Sequence, residues 1–379
     1  MLKVSSLRVT SFRNFPNDSR YVFNDDKQFV VIEGPNGSGK TTLLEALYYA
    51  CHLKSFRTAH SLDLITFGQD HFFAEVAISD SASLQNHVIS VGCDGDRKVV
   101  KLDGKAIKTH KDLLQIFRVI GITESDIDLI RGAPQLRRTF LAQTQMLLDA
   151  TFIERMRAYR RIVNQRNALL FGFKRSGGNL SLSQIHQLNV WTKTMWDASC
   201  AEIARFNNLL DRLSLEANNL LLKYCAIDNL SIAIKYEPAH LNLTESFDEF
   251  WDRYKDSMMQ LEVIQGRGSW GLHLDDFEID LTEKSMRRFA SRGQQKLAIL
   301  LLKIAVTHLL GCGNALLLID DFITDFDSKR IQQILEILNN SGSQIIMTTP
   351  FLMSFPTELT NEFQHITLGK VHDVQLVQK

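Results

Sequence analysis

The chain has 379 residues, with 43 Lys plus Arg balanced by 43 Asp plus Glu, 45% hydrophobic and 23% charged residues. Such a length predicts two or three domains with a large core, and the composition is that of a soluble globular protein without disordered tracts. A net charge of zero means that any polyanion has to be met by a local patch, and five cysteines without a Cys-x-x-Cys pair argue against a zinc site or a disulfide framework and for a reduced, cytoplasmic protein.

The first dozen residues alternate apolar and polar positions, which speaks against a secretory signal. Residues 3–10 and 29–33 read as strands and 41–51 as a helix; 72–79, 88–93 and 98–102 read as further strands, with turn signals at Asp94-Gly95 and Asp103-Gly104. From Pro134 the period becomes helical. Phe152, Met156, Tyr159, Val163 and Leu170 share one face, and Ile203, Phe206, Leu210, Leu213, Ala217 and Leu220 form a second stripe. These predict two long helices side by side, joined through the Gly/Ser/Asn-rich residues 176–183. About 130 residues folded back on themselves reach at most roughly 100 Å. Strand signals return after Gln265-Gly266-Arg267-Gly268, followed by a long apolar helix, a strand over 315–319, a helix over 328–338 and a strand over 344–348. The most apolar window, 297–319, is broken by Lys303, His308 and Gly311-Cys312-Gly313, so it reads as a buried helix and strand, not a membrane span. The predicted divisions are 1–132 (a β-rich first lobe), 133–264 (a helical insertion) and 265–379 (a second lobe).

Gly34-Pro35-Asn36-Gly37-Ser38-Gly39-Lys40-Thr41-Thr42 follows the apolar run Phe29-Val30-Val31-Ile32 directly. A strand opening through a glycine-rich turn into a helix points several backbone N–H groups at one phosphate chain. Lys40 is then placed to reach the β- and γ-phosphates of ATP and Thr41 to ligate Mg²⁺. Downstream, Ala315 to Ile319 is an apolar strand ending in Asp320-Asp321, the form of a Walker B element: Asp320 is the metal-side candidate and Asp321 faces the γ-phosphate and the attacking water. Two aspartates capping a turn after a core strand are the alternative. Ser291-Arg292-Gly293-Gln294 resembles the Ser-Gly-Gly-Gln signature of ABC-type ATPases. In such a head, Ser291 and the Gly293 backbone offer a helix N-terminus to the γ-phosphate held by a second subunit; a helix cap within one subunit is the other reading. Thr324-Asp325-Phe326-Asp327 occupies the place of the dimer-interface loop.

Between Arg131 and Arg175 stand ten basic residues, Arg131, Arg137, Arg138, Arg155, Arg157, Arg160, Arg161, Arg166, Lys174 and Arg175, against Asp149 and Glu154. A patch of this kind binds phosphates without reading bases, and Arg131, Arg137, Arg138, Arg157 and Arg161 are the candidate DNA contacts; a solvated helix face is the alternative. Arg13 and Arg57 are placed either for nucleotide phosphates or for ion pairs, Glu124 either for coupling nucleotide to the insertion or for a helix cap. His273 reads either as a group orienting a carboxylate or phosphate or as a satisfied, partly buried side chain.

Phe12-Arg13-Asn14-Phe15, the loop from Gly34 to Thr42 with Leu44-Glu45-Ala46, Ser55-Phe56-Arg57, Ile122-Thr123-Glu124, Ile130 to Pro134, Arg137 to Leu141, Gln165 to Leu170, Gly271 to Asp276, Ser291 to Lys296 and Leu317 to Asp327 together resemble, in order and over nearly the whole chain, the RecF family of bacterial recombination-mediator ATPases. Leu272 and Leu274 stand where that family has Pro and Arg, Ala142 where Asp is usual, and Thr348-Thr349 at the switch position where ABC transporters use His. These departures bear on hydrolysis and its coupling to DNA. The resemblance implies an α/β fold, an ABC-type, SMC-like P-loop ATPase head with a short helical arm. It further implies a homodimer closed by ATP and Mg²⁺, slow hydrolysis, binding at single-strand/double-strand DNA junctions and gaps, and RecO- and RecR-like partners that help load a recombinase, with no membrane partner. The insertion is too short for SMC-type arms and carries no Cys-x-x-Cys hook. A nucleotide-binding scaffold with little turnover and the ATPase subunit of another multi-protein system are the other functional readings.

Overall fold

The computed structural model describes residues 2–80, 85–95, 97–107, 109–177, 180–225, 230–311, 313–323, 325–350 and 363–369. Strands β1 (Leu2–Thr10), β2 (Ser19–Val22) and β3 (Phe29–Glu33) precede helix α1 (Lys40–His52), and β4 (Phe72–Asp80), β5 (Gln85–Asp94), β6 (Arg97–Leu102) and β7 (Lys105–Ala106) follow. Next come α2 (His110–Ile116), β8 (Val119–Thr123), α3 (Asp128–Arg131), α4 (Pro134–Leu148), α5 (Phe152–Arg175), α6 (Leu182–Cys225), β9 (Ile232–Glu237), α7 (Phe247–Ser257) and α8 (Met259–Gln265). The chain ends with β10 (Asp276–Leu281), β11 (Lys284–Ser285), α9 (Met286–Phe289), α10 (Arg292–Leu310), β12 (Leu316–Asp320), α11 (Ser328–Asn339), β13 (Ile345–Thr349) and β14 (Gln364–Thr367). No helix among the described residues is long and apolar enough to cross a membrane.

These elements form two compact units, one of residues 1–127, 216–230 and 291–379, the other of 128–215 and 231–290. The first holds two sheets. An antiparallel sheet has the order β2-β1-β4-β5-β6-β7, and a parallel one the order β14-β3-β13-β12-β8. Parallel strands covered on both faces read as unbroken apolar runs, and Phe29 to Ile32, Leu316 to Ile319 and all of β13 are buried. By contrast, β4 alternates buried and half-buried positions along its length. The register sets Thr348 beside Ile32 of β3 and Ile319 beside Met347 of β13. Since β13 lies between β3 and β12, the C-terminal ends of all three converge on one edge.

The second unit is mainly helical. In it α5 and the part of α6 up to Leu215 run antiparallel, as the pairs Phe152–Phe206, Tyr159–Ser199 and Arg166–Thr192 show. The predicted second stripe is buried throughout, from Ile203 to Leu220. At about 66 Å, the 44-residue α6 stays inside the predicted reach. Residues 265–290, placed with the second lobe on sequence grounds, cluster instead with this unit, because β10 pairs antiparallel with β9 from Asp276↔Glu237 to Leu281↔Ile232.

Candidate functional site: a phosphate loop facing a threonine-bridged aspartate pair

The turn from β3 into α1 requires glycine at two places. Gly39 caps α1 at φ 101°, and a Cβ there would lie 2.6 Å from the Phe15 ring. Gly34 has φ 154°, and its Cβ would meet the Leu368 carbonyl at 2.5 Å. No side chain caps the N-terminus of α1, so its free N–H groups are available to an anion. Pro35, Asn36 and Gly37 are exposed at the tip, whereas Ser38, Lys40 and Thr42 are buried. The Lys40 ammonium donates to the Gly34 carbonyl at 2.7 Å and the Pro35 carbonyl at 3.3 Å.

Asp320 ends β12 opposite this loop. Its Oδ1 accepts from the Thr41 hydroxyl at 2.9 Å and from the Thr348 hydroxyl at 2.8 Å. Thr348 in turn accepts the Asp321 N–H at 2.9 Å, which holds Asp321 in a left-handed conformation with φ 47°. Burial raises the pKa of Asp320 above the ordinary carboxylate range, against the lowering effect of its bonds to Thr348 and Thr41. A half-desolvated carboxylate beside a hydroxyl is a set of hard oxygen donors suited to Mg²⁺, whose charge would offset the desolvation. The predicted Lys40, Thr41, Asp320 and Asp321 are therefore brought together. Thr348, noted in the sequence only as a departure from histidine, joins them; the two threonines that end an otherwise apolar buried strand are the signal that marks it.

Around this array, Arg13 forms a two-pronged ion pair with the fully buried Glu45, and Arg57 approaches the same carboxylate at 3.8 Å. Of the two readings for these arginines, the structure displays the ion pair.

Ser291 caps α10 in a reciprocal box: its hydroxyl accepts the Gln294 N–H at 3.2 Å, and the Gln294 carboxamide accepts the Ser291 N–H at 2.9 Å. The helix-cap reading of this segment thus holds within one chain, while Ser291, Arg292 and Gly293 remain exposed. One turn on, Lys296 is 1% exposed and bridges Glu124 and Asp325, each at 2.6 Å, and Arg292 pairs with the same Glu124. Glu124 is thereby tied to the signature helix. Of the expected dimer-interface loop, Asp327 caps α11 and Thr324 lies outside the described residues.

The ten basic residues between Arg131 and Arg175 meet different fates. Arg137 is buried; it pairs with Asp276 at 2.7 and 2.8 Å and donates to the Leu129 and Gly132 carbonyls. Arg138 donates to the Asp275 carbonyl at 2.8 Å. Arg155 joins Asp149 and Glu202, and Arg166, 1% exposed, pairs with Glu262 at 2.6 Å. The structure gives Arg137 to the framework of the second unit, in place of the DNA-facing role expected of it, and leaves Arg138 half-exposed beside its bond to the Asp275 carbonyl. Arg131, Arg157, Arg160, Arg161, Lys174 and Arg175 are exposed. His273 is exposed in the second unit, and the unexpected Leu272 is buried there with its N–H donated to Tyr159 at 3.0 Å.

A family model described as the RecF/RecN/SMC N terminal domain matches residues 3–362. Proteins named DNA replication and repair protein RecF are similar along their full length: that of Geotalea daltonii is 27% identical over 98% of this chain and 100% of the relative, and that of Citrifermentans bemidjiense 29% over the same shares. Among solved structures, the recombination mediator protein RecF with ATP, of the RecFOR pathway, superposes with a TM-score of 0.80 at 23% identity over 92% of each chain. The Smc head domain of Pyrococcus furiosus gives 0.56 at 14% identity over 98% of this chain and 95% of that one. These likenesses show the fold, an ABC-type, SMC-like ATPase head with an added helical unit.

Proposed function

This chain belongs to the RecF/RecN/SMC N-terminal domain family, within it to RecF, and from that premise we propose that it is an ATP-dependent DNA-binding protein of replication and recombinational repair. The observation that carries the reading is the array of Lys40, Thr41, Asp320, Thr348 and Asp321 on one sheet edge. The loop amides and Lys40 bind the phosphates, and Lys40 exchanges its carbonyl partners for the β- and γ-oxygens. Thr41 and Asp320 hold Mg²⁺, which supplies charge neutralisation at the phosphates when bound. Asp321 aligns the attacking water, so that catalysis is mostly positioning. The exposed Ser291–Gly293 N-terminus is the surface offered to the nucleotide of a second copy, which makes ATP the glue of a dimer. The exposed arginines of the helical unit bind DNA at single-strand gaps, where the dimer assists RecO- and RecR-like mediators in loading recombinase, in the cytoplasm.

Mass in solution with and without ATP tests the dimer. The parent chain is expected to double its mass with ATP, and Ser291→Arg to remain monomeric while still binding nucleotide. An unchanged parent mass refutes the sandwich. Single-turnover hydrolysis with DNA present tests the enzyme: ATP that persists in a dimerising parent chain points instead to a scaffold with little turnover.

A further inference from the structure

The exposed cations of α5 are not scattered. Arg157, Arg161, Asn164, Ala168, Phe171 and Arg175 recur at steps of four, three, four, three and four, which keeps them on one helical face, and all six are exposed. The stripe is about 27 Å long. From Arg155 to Arg175 the helix contains no acidic residue.

Within this stripe stands an aromatic ring. Phe171 is 55% exposed, whereas Phe173, two residues on, is 5% exposed in the core. The ring lies beside Gly266, the residue that caps the end of α8, where an added Cβ would stand 3.5 Å from its edge, and Lys174 beside it donates to the Gln265 carbonyl at 3.4 Å. A flat apolar ring, supported on one side and set among cations on a helix that carries no acid after Glu154, is complementary to a polyanion that offers unpaired aromatic faces. Single-stranded nucleic acid is that partner: its phosphates suit the arginines and its bases stack on aromatic side chains. An intact duplex keeps its base faces stacked on one another and has nothing to give Phe171. Leu261 and Ile264 are also exposed on α8, but the arginines of α5 continue for more than two turns beyond Phe171, a length that suits several successive phosphates better than one peptide anchor.

We propose that the outward face of α5 is a track for single-stranded nucleic acid, in which Phe171 stacks on an unpaired base and Arg157, Arg161 and Arg175 hold the backbone. The proposal rests on the DNA-binding reading above and adds to it the element that tells a single strand from a duplex. Anisotropy of the full chain with a labelled oligo-dT and with a blunt duplex of equal length tests it. Phe171→Ala is expected to weaken oligo-dT binding roughly tenfold and duplex binding less than about twofold, and Phe171→Tyr to retain the parent affinity. Arg161→Ala weakens both probes and lowers the salt slope by about one. An unchanged oligo-dT affinity in Phe171→Ala, or an equal loss on both probes, overturns this inference while leaving DNA binding intact. So does a Phe171-dependent affinity for an acidic peptide in place of oligo-dT. A parent chain that binds neither probe overturns the DNA-binding reading itself.

Discussion

Thr348→Val isolates what the threonine bridge does. Valine keeps the shape of a side chain that is buried at the end of β13 and removes only the hydroxyl. Three contacts go with it, a donation shared between Asp320 at 2.8 Å and the Asp321 carboxylate at 3.4 Å, and the 2.9 Å acceptance from the Asp321 N–H. A hydrogen bond to a carboxylate contributes about 1.5–3 kcal/mol, and the part-buried Asp321 N–H, left without its partner, costs about 1 kcal/mol, the low end of the buried-group penalty. Asp321 also loses the contact that holds it in a left-handed conformation, which by itself costs an L-residue about 1–2 kcal/mol. Asp320 keeps its bond from Thr41, so the groups proposed to hold nucleotide and Mg²⁺ stay in place. The loss therefore falls on the placement of Asp321, and with each 1.4 kcal/mol worth a factor of ten, kcat is expected to drop roughly 10- to 100-fold while KM for ATP moves less than about threefold. Phosphate release under single turnover, with a fluorescent nucleotide to report binding, is the assay. Thr348→Ser restores the hydroxyl and with it most of the rate. A valine variant that hydrolyses like the parent, or one that loses rate only in proportion to lost ATP binding, refutes the positioning role.

Three further outcomes follow from the same structure. Arg137→Ala is expected to cost about 3 kcal/mol of stability at pH 7 in urea unfolding and to leave the salt slope of DNA binding unchanged. Burial pulls the Asp276 carboxyl up, but Arg137, with the Phe277 N–H and the charge of Arg138, more than offsets this and holds it below its usual range; a depressed native pKa contributes stability above the ordinary carboxylate value and loses it on acidification, so the gap between parent and variant narrows below about pH 4. Arg166→Met leaves the fully buried Glu262 charge without its guanidinium and costs about 3–5 kcal/mol, most of it recovered by adding Glu262→Gln, as thermal unfolding of both variants reads out. Gly39→Ala has to carry a Cβ at φ 101° against Phe15, with about 1–3 kcal/mol of strain, and is expected to weaken ATP at least tenfold in equilibrium binding.

Much of the architecture was legible because its signals are local. The apolar run of β3 leads straight into the glycine loop, the run of β12 into Asp320-Asp321, and two apolar stripes announce α5 and α6. Other elements leave weaker traces. In β8 a glycine interrupts the strand, and the structure shows why: the Tyr48 ring lies 3.2 Å from where a Cβ of Gly121 would stand. The four-residue β2 and the six-residue β9 are too short to speak for themselves and are fixed by antiparallel pairing with β1 and β10. That second pairing joins residues about 40 to 50 positions apart, from Asp276↔Glu237 to Leu281↔Ile232, and carries 265–290 into the helical unit, a grouping that no local period encodes.

The site divides along the same line. Each residue of the phosphate loop has its place dictated by its immediate neighbours, whereas the fate of a cation depends on partners far along the chain: Arg155 finds Glu202, Arg166 finds Glu262, and Arg137 finds Asp276 across 47, 96 and 139 positions. Counting charges over a segment therefore overstates what solvent sees. Phase corrects the count. Phe152, Met156, Tyr159, Val163, Leu170 and Phe173 advance by alternate steps of four and three with a single vacancy, and Arg166 fills it. A charged residue in register with an apolar stripe is carried into the core and has to find a buried partner, which Glu262 provides. The same period read from the opposite face gives Arg157, Arg161, Phe171 and Arg175, whose side chains no core position can claim. An exposed ring on that outward phase, with a buried Phe173 two residues away, is a side chain that the helix keeps out of the core.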